Sequence, residues 1–113
     1  MIFLAYFAVM ALITLIIAGI FEIGFTTCLK FSNNFKNMYW GVGFFVCITA
    51  SFILLNKAIQ TIPIGTAYAV WTGIGAVGTA IIGILFFNEA AEFWRVFFIF
   101  TLIASIIGLK LVA

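Results

Sequence analysis

The sequence predicts an all-α integral membrane protein with four transmembrane helices. Of its 113 residues, 67% are hydrophobic and 7% are charged, and the mean hydropathy is +1.40. A soluble domain carries about 25% charged residues to keep its surface hydrated. Polar residues also divide the chain into four apolar stretches, each close to the roughly 20 residues that cross a bilayer as a helix. The surface of this chain is therefore expected to face lipid.

Short polar connections separate the expected spans. Lys30 and the asparagine-rich run after it end the first span. Asn56, Lys57 and Pro63 mark the second connection, since proline cannot continue a helix through its missing N–H. Asn88 opens the third connection. One membrane domain is expected over residues 1–113, with spans at 2–30, 38–56, 64–87 and 93–112.

Positive charge hardly distinguishes the two sides of this bundle. Alternating spans place Lys30, Lys36 and Arg95 on one side. Lys57 and Lys110 fall on the other side. Because Lys and Arg asymmetry sets membrane orientation, a difference of three against two predicts insertion in both orientations. Insertion in both orientations would permit an antiparallel homodimer. Such a dimer is expected, because four short helices alone can hardly enclose a path for a solute.

Two small residues on the fourth span offer a contact for such a dimer. Ala104 and Gly108 are spaced four apart and so share one helix face. Small residues let helix backbones approach closely in lipid. Packing within one protomer is an equally good interpretation of this pair.

Glu22 is the residue that indicates function. It lies eight residues before Lys30, about 12 Å along the helix and close to mid-membrane. An acid at this depth costs roughly 2.5 to 3.5 kcal/mol on insertion scales and usually marks an ion or proton pathway. Protons and a cationic solute can compete for one carboxylate, and alternating exposure of that site would exchange them. A carboxyl group bonded to Thr26 and serving only helix packing is the alternative.

Other candidate binding residues follow from helical spacing. Gly19, Phe25 and Thr26 share the face of Glu22. On the third span, Tyr68 and Trp71 form an aromatic stripe on which a cation can stack. Lipid or helix packing is the ordinary interpretation of such a stripe. Ser51 on the second span is a further polar candidate, although a serine in a membrane helix often bonds its own backbone. 

Several functions are disfavoured by composition. The chain has no histidine to complete a metal site with Cys28 and Cys47, so neither a metal nor another cofactor is expected. The chain has no run of basic residues that would suggest nucleic-acid binding. An enzyme is not expected, because no second acid near Glu22 divides acid and base roles within one protomer. The expected partners are protons, small organic cations, the lipid bilayer and a second copy of the chain.

Two segments resemble the small multidrug resistance transporters. These segments are GIFEIGFTTCLKFSNNF, from Gly19 to Phe35, and IPIGTAYAVWTGIGAVG, from Ile62 to Gly78. The resemblance covers essentially the whole chain and implies an antiparallel homodimer in a bacterial inner membrane that exchanges protons for cations. It implies that Glu22 is the shared binding site.

The same resemblance assigns roles to further residues. Tyr68 and Trp71 match the aromatic binding-site positions, and Ser51, in the run ASFILL, matches the serine that supports the glutamate. The fourth span would carry the dimer contact.

Substrate preference within the resemblance is divided. The run WTGIGA of the third span is similar to the guanidinium-exporting subtype. That subtype has tryptophan where this chain has Phe25, and Thr26 with Thr27 is similar to the subtype that exports quaternary ammonium compounds. We therefore expect a proton-coupled exporter of guanidinium-type ions, quaternary ammonium ions or both.

Two other functions remain open at this point. One is a membrane partner or regulatory subunit that does not transport, whose buried acid pairs with a basic residue of another protein. The other is a proton-leaking channel, which would pass current without an organic cation.

Overall fold

A computed structural model describes residues 1–112 and contains four helices within them. Each helix is long and apolar enough to cross a membrane. Ala113, the last residue of the expected domain, lies outside the described residues. The four helices confirm the all-α, four-span fold predicted from the sequence. The helices are α1 (Ile2–Phe31), α2 (Met38–Ala58), α3 (Ile64–Phe86) and α4 (Phe93–Val112).

The end of α2 differs from the expected span. Asn56 and Lys57, which were expected in the second connection, lie in the last turn of α2. A lysine there complements the negative end of the helix dipole, and its long side chain can reach the membrane interface. The turn before α3 instead begins at Ile59, the C-cap of α2.

Asparagine shapes the turn between α1 and α2. Asn33, Asn34 and Phe35 have φ angles of 49°, 62° and 64°, a left-handed conformation that asparagine tolerates better than most residues. Ser32 is buried, and its hydroxyl donates to Leu29 O and accepts from the Phe35 N–H. These bonds satisfy backbone groups at the end of α1 and reverse the chain tightly into α2.

Helix α1 lies at the centre of the protomer and packs against both α2 and α3. Its buried face includes Leu15 and Ala18, which meet small or aromatic residues such as Ala67 and Trp71. Small residues allow the helices to approach closely, and the resulting van der Waals packing helps to drive helix association in lipid. This arrangement places the α1 face bearing Glu22 against α3.

Helix α4 is attached at the edge of the bundle. Within residues 1–112 it packs against α3 and against no other helix. None of its residues in that range is fully buried. Most of its surface is therefore available to lipid or to another chain.

The α1–α3 contact can be tested at Gly19. A Cβ atom at this position would lie 2.6 Å from Ile74 Cγ2 and 2.8 Å from Ile74 Cβ. We expect Gly19→Ala to push the helices apart and destabilise the protein by about 1–3 kcal/mol, measured as a lower Tm in detergent.

Gly65→Ala is the matched control, since a Cβ there would contact no neighbouring side chain or helix of residues 1–112 within 4 Å. Both changes raise helix propensity. An equal or higher Tm for Gly19→Ala than for Gly65→Ala would contradict the close packing at Gly19.

Candidate functional site

The carboxyl group of Glu22 lies between α1 and α3, against the backbone of Gly75. A Cβ at Gly75 would collide with Cδ and Oε2 of Glu22, so only glycine leaves room for the acid. Glu22 Oε2 is buried and has no hydrogen-bond partner among residues 1–112. A buried polar atom left unpaired costs free energy, so this oxygen is poised to take a proton or a cation.

A second unpaired polar atom belongs to α3. Thr72 Oγ1 is buried, and it too lacks a hydrogen-bond partner in the described part of the chain. Thr72 precedes Gly75 by three residues, so the two positions lie on neighbouring parts of the helix surface. The third span therefore supplies an unused hydroxyl in addition to the space for the carboxyl group.

Ser51 connects three helices through two buried hydrogen bonds. Its hydroxyl donates to Ala18 O on α1 at 2.7 Å and accepts from Trp71 Nε1 on α3 at 2.8 Å. Both bonds are within the range of strong neutral hydrogen bonds. They fix the orientation of the indole ring one turn of helix before Gly75. Ser51 thus bonds a neighbouring helix rather than its own backbone.

The two predicted aromatic residues have different environments. Trp71 is 5% exposed and packs against Phe52, with ring centroids 5.2 Å apart. Tyr68 is 58% exposed, and its ring centroid lies 5.6 Å from that of Trp71. Tyr68 extends the aromatic stripe outward from the core, and more than half of its side-chain surface is left uncovered by residues 1–112.

The remaining candidates on α1 are divided between two neighbouring helices. Phe25 makes an edge-to-face contact with Phe44 of α2 at 5.9 Å. The hydroxyl of Thr26 lies 2.8 Å from that of Thr79 on α3 and also donates to Ile23 O. Gly19 is buried against Ile74. Thr26 therefore bonds α3 and its own helix, whereas Phe25 contacts an aromatic ring of α2.

Sequence reasoning did not single out the hydroxyl groups of Thr72 and Thr79 on α3. A usable signal was present, because Thr72, Gly75 and Thr79 follow one another at spacings of three and four on α3. Two further glycines of α3 also lie in close contact with side chains of neighbouring helices. Gly73 lies against Ile106 of α4, and Gly78 lies against Ile23 of α1.

The predicted dimer positions lie on the outside of the protomer. Ala104 is exposed, and a Cβ placed on Gly108 would contact no neighbouring element of residues 1–112 within 4 Å.

Across residues 1–112, no group of three or more His, Cys, Asp or Glu side chains gathers in a way that could hold a metal ion.

Four helices that are long and apolar enough to cross a membrane, with an unpaired carboxyl oxygen held between α1 and α3, are typical of a small membrane transporter. A sequence profile described as Small Multidrug Resistance protein matches residues 10–103. The chain belongs to the small multidrug resistance family, as the resemblance predicted, and is an integral protein of the bacterial inner membrane.

Curated relatives are similar over nearly their full lengths. A "Guanidinium exporter" of Yersinia pseudotuberculosis is 47% identical over 102 residues, covering 90% of this chain and 98% of that protein. A "Probable guanidinium efflux system subunit GdnD" of Bacillus licheniformis is 46% identical, covering 89% and 97%. A "Guanidinium exporter" of Salmonella typhimurium is 43% identical, covering 92% and 99%. These relatives are named for export rather than for catalysis.

The hydrogen bonds of Ser51 provide a test of the site's framework. Ser51→Ala leaves the buried Trp71 Nε1 without its partner, which costs about 1–3 kcal/mol, and removes the bond that joins α2 to Ala18 O of α1. We expect a lower Tm and a red-shifted, more heterogeneous tryptophan emission. Thr49→Ala, on an exposed position of the same helix, is the control and should change neither measurement. An unchanged emission in Ser51→Ala would contradict this hydrogen-bonded orientation of the indole.

Proposed function

We propose that the protein exports small organic cations, chiefly of the guanidinium type, in exchange for protons at Glu22. The observation that carries the proposal is the buried, unpaired oxygen of Glu22 seated against Gly75. In the proton-bound state this oxygen is neutral, which lowers the cost of burial. A cation that displaces the proton pairs with the carboxylate instead, so a single site holds either ligand but not both.

The acceptors around the site favour guanidinium over a quaternary ammonium ion. Guanidinium carries N–H donors on every edge, whereas a quaternary ammonium ion has none. Glu22 Oε2 has no partner and can accept such a donor, and Thr72 Oγ1, three residues before Gly75 on α3, is a second unpaired acceptor. The indole N–H of Trp71 already donates to Ser51, so Trp71 offers only its ring face to either type of cation. The names of the relatives support the same preference.

A second copy of the chain completes the proposed site. Tyr68 is largely exposed, and α4 leaves Ala104 and Gly108 uncovered. An antiparallel homodimer joined through α4 would bring two copies of Glu22 to one central cavity. Their carboxyl groups would then titrate as a coupled pair. The nearly balanced distribution of Lys and Arg supports insertion in both orientations.

Action as a subunit that requires a different partner is the second candidate. One relative is named as a subunit of an efflux system. In that case Glu22 would pair with, or share its site with, another protein, and this chain alone would not transport. Quaternary ammonium export is retained as a lesser activity, because the exposed aromatic wall at Tyr68 suits a cation without N–H donors.

Transport by the purified protein tests the proposal directly. We expect proteoliposomes on a solid-supported membrane to give currents with guanidinium and smaller currents with tetra-alkyl or aryl ammonium ions. Glu22→Gln should abolish both, because the amide cannot release a proton or neutralise a cation. Glu92→Gln removes an exposed charge from the third connection and should retain the currents.

The outcomes of this measurement separate the candidates. Guanidinium currents that persist in Glu22→Gln would exclude exchange at this carboxyl group. A current that flows in a proton gradient without any organic cation would indicate a proton leak. Absence of current from wild-type protein alone, with recovery on adding a second family member, would favour the subunit candidate.

The proposed α4 contact can be tested at Gly108. We expect Gly108→Leu to weaken the dimer at least ten-fold, because its side chain would occupy the uncovered helix face. Gly65→Leu is the matched control, since a Cβ there also meets no described atom within 4 Å. Förster transfer between labelled chains in liposomes measures association. Equal transfer in the two variants would contradict a dimer contact at Gly108.

A further inference from the structure

One face of α3 contacts polar groups at three successive turns. Gly75 lies against the carboxyl group of Glu22, Thr79 bonds a threonine hydroxyl of α1, and Gly83 lies against the carboxylate of Glu89. These positions are four residues apart and therefore follow one another along the helix. From Gly75 to Gly83 the helix rises about 12 Å. A line of polar groups thus runs from Glu22 to the connection before α4.

A cavity of about 140 Å³ lies at the outer end of this line. Its lining includes Thr26 and Thr79, each four residues after Glu22 or Gly75 on its helix, and Phe87 and Glu89 at the end of α3 and in the connection before α4. Water occupies about 30 Å³ in the liquid, so the cavity has room for an ion of a few heavy atoms. Its lining combines hydroxyl acceptors, an aromatic ring and a carboxylate, which together suit an organic cation.

Lys30 indicates that this cavity accommodates a cation. Its Nζ lies 5.8 Å from the centroid of the Phe87 ring, within the range of a cation–π contact, and Lys30 lines the same cavity. The lysine side chain is long and flexible, so its ammonium can also extend into water. The position over Phe87 is therefore available to another cation when Lys30 moves away.

Glu89 is held in place without using all of its acceptors. Its Oε1 accepts from Arg95 Nη2 at 2.5 Å, and its backbone N–H donates to Gly83 O at 3.1 Å. Its Oε2 lies over Gly83, where any side chain would exclude it. A carboxylate can accept several hydrogen bonds, so one pairing with Arg95 leaves capacity for a ligand.

We propose that Glu89, Phe87 and the Thr26–Thr79 hydroxyl pair form an outer subsite for a guanidinium or primary ammonium ion. The ion occupies this subsite between the membrane surface and Glu22, and the Lys30 ammonium competes with it for the Phe87 ring. The inference rests on the proposed function, because it concerns the same class of ion. It adds a second binding position about two helical turns from the first.

Guanidinium transport in proteoliposomes tests the outer subsite. Glu89→Gln removes the attraction and is expected to raise KM three- to ten-fold, with a smaller effect on the maximal rate. Lys30→Met removes the competitor and is expected to lower KM by two- to five-fold. Glu92→Gln and Lys36→Met are the charge-matched controls, because both residues are exposed on connections at the same end and do not line the cavity.

General surface charge would change KM equally in each variant and its control, and that result would overturn the subsite. An unchanged KM in Glu89→Gln, with transport still abolished by Glu22→Gln, would overturn it while leaving the proposed function intact.

A binding measurement keeps the inference testable if transport is absent. In Glu22→Gln protein, we expect guanidinium chloride to shift the methyl NMR signals of Thr26 and Thr79, and Glu89→Gln in the same background to abolish the shift. Sodium chloride at equal ionic strength is the control. A guanidinium-specific shift that requires Glu89 supports the subsite even where wild-type protein carries no current. No such shift would overturn the subsite.

Discussion

The packing of the Glu22 carboxyl group against Gly75 is the constraint on which the rest of the structure depends. A side chain at position 75 would occupy the space of the acid, and a wider gap between α1 and α3 would admit water or lipid. Close packing in turn requires small residues elsewhere along the contact, such as Gly19 against Ile74. The interface therefore combines close helix packing with one buried oxygen that has no hydrogen-bond partner among residues 1–112.

The hydrogen bonds around this interface divide it into a fixed and an adjustable part. Ser51 joins α1, α2 and α3 through Ala18 O and Trp71 Nε1, so the helices are held together on one side of the acid. On the other side of the acid, α1 and α3 are joined by the hydroxyl contact of Thr26 with Thr79 and by the packing of Ile23 on Gly78. Hydroxyl groups rotate at little cost and can exchange partners with water or an ion. The Thr26–Thr79 contact can therefore rearrange more easily than the pair of buried bonds made by Ser51.

The sequence was sufficient to predict the four spans, because charges and asparagines interrupt an otherwise apolar chain, and hydropathy is a strong signal in lipid. It also placed Glu22 correctly within the first span, where an acid is expensive and therefore unusual. It did not indicate that Phe25 packs on α2 or that Thr79 meets Thr26, because the rotation of each helix about its axis depends on packing between helices. Helix α2 extends two residues beyond the expected span, to Ala58, because lysine is tolerated in the last turn of a membrane helix.

The exposure of α4 and Tyr68 bears on why so small a chain would need a second copy. In the described part of the protomer, α4 packs on α3 alone, so three helices at most can surround the acid. Three helices leave Tyr68 largely exposed beside the buried Trp71, and an organic cation at that position would contact lipid on one side. Partial desolvation by lipid without pairing is costly for a cation. A second chain that covers this side would lower that cost, and it would add a second carboxyl group that one 113-residue chain does not supply at this depth.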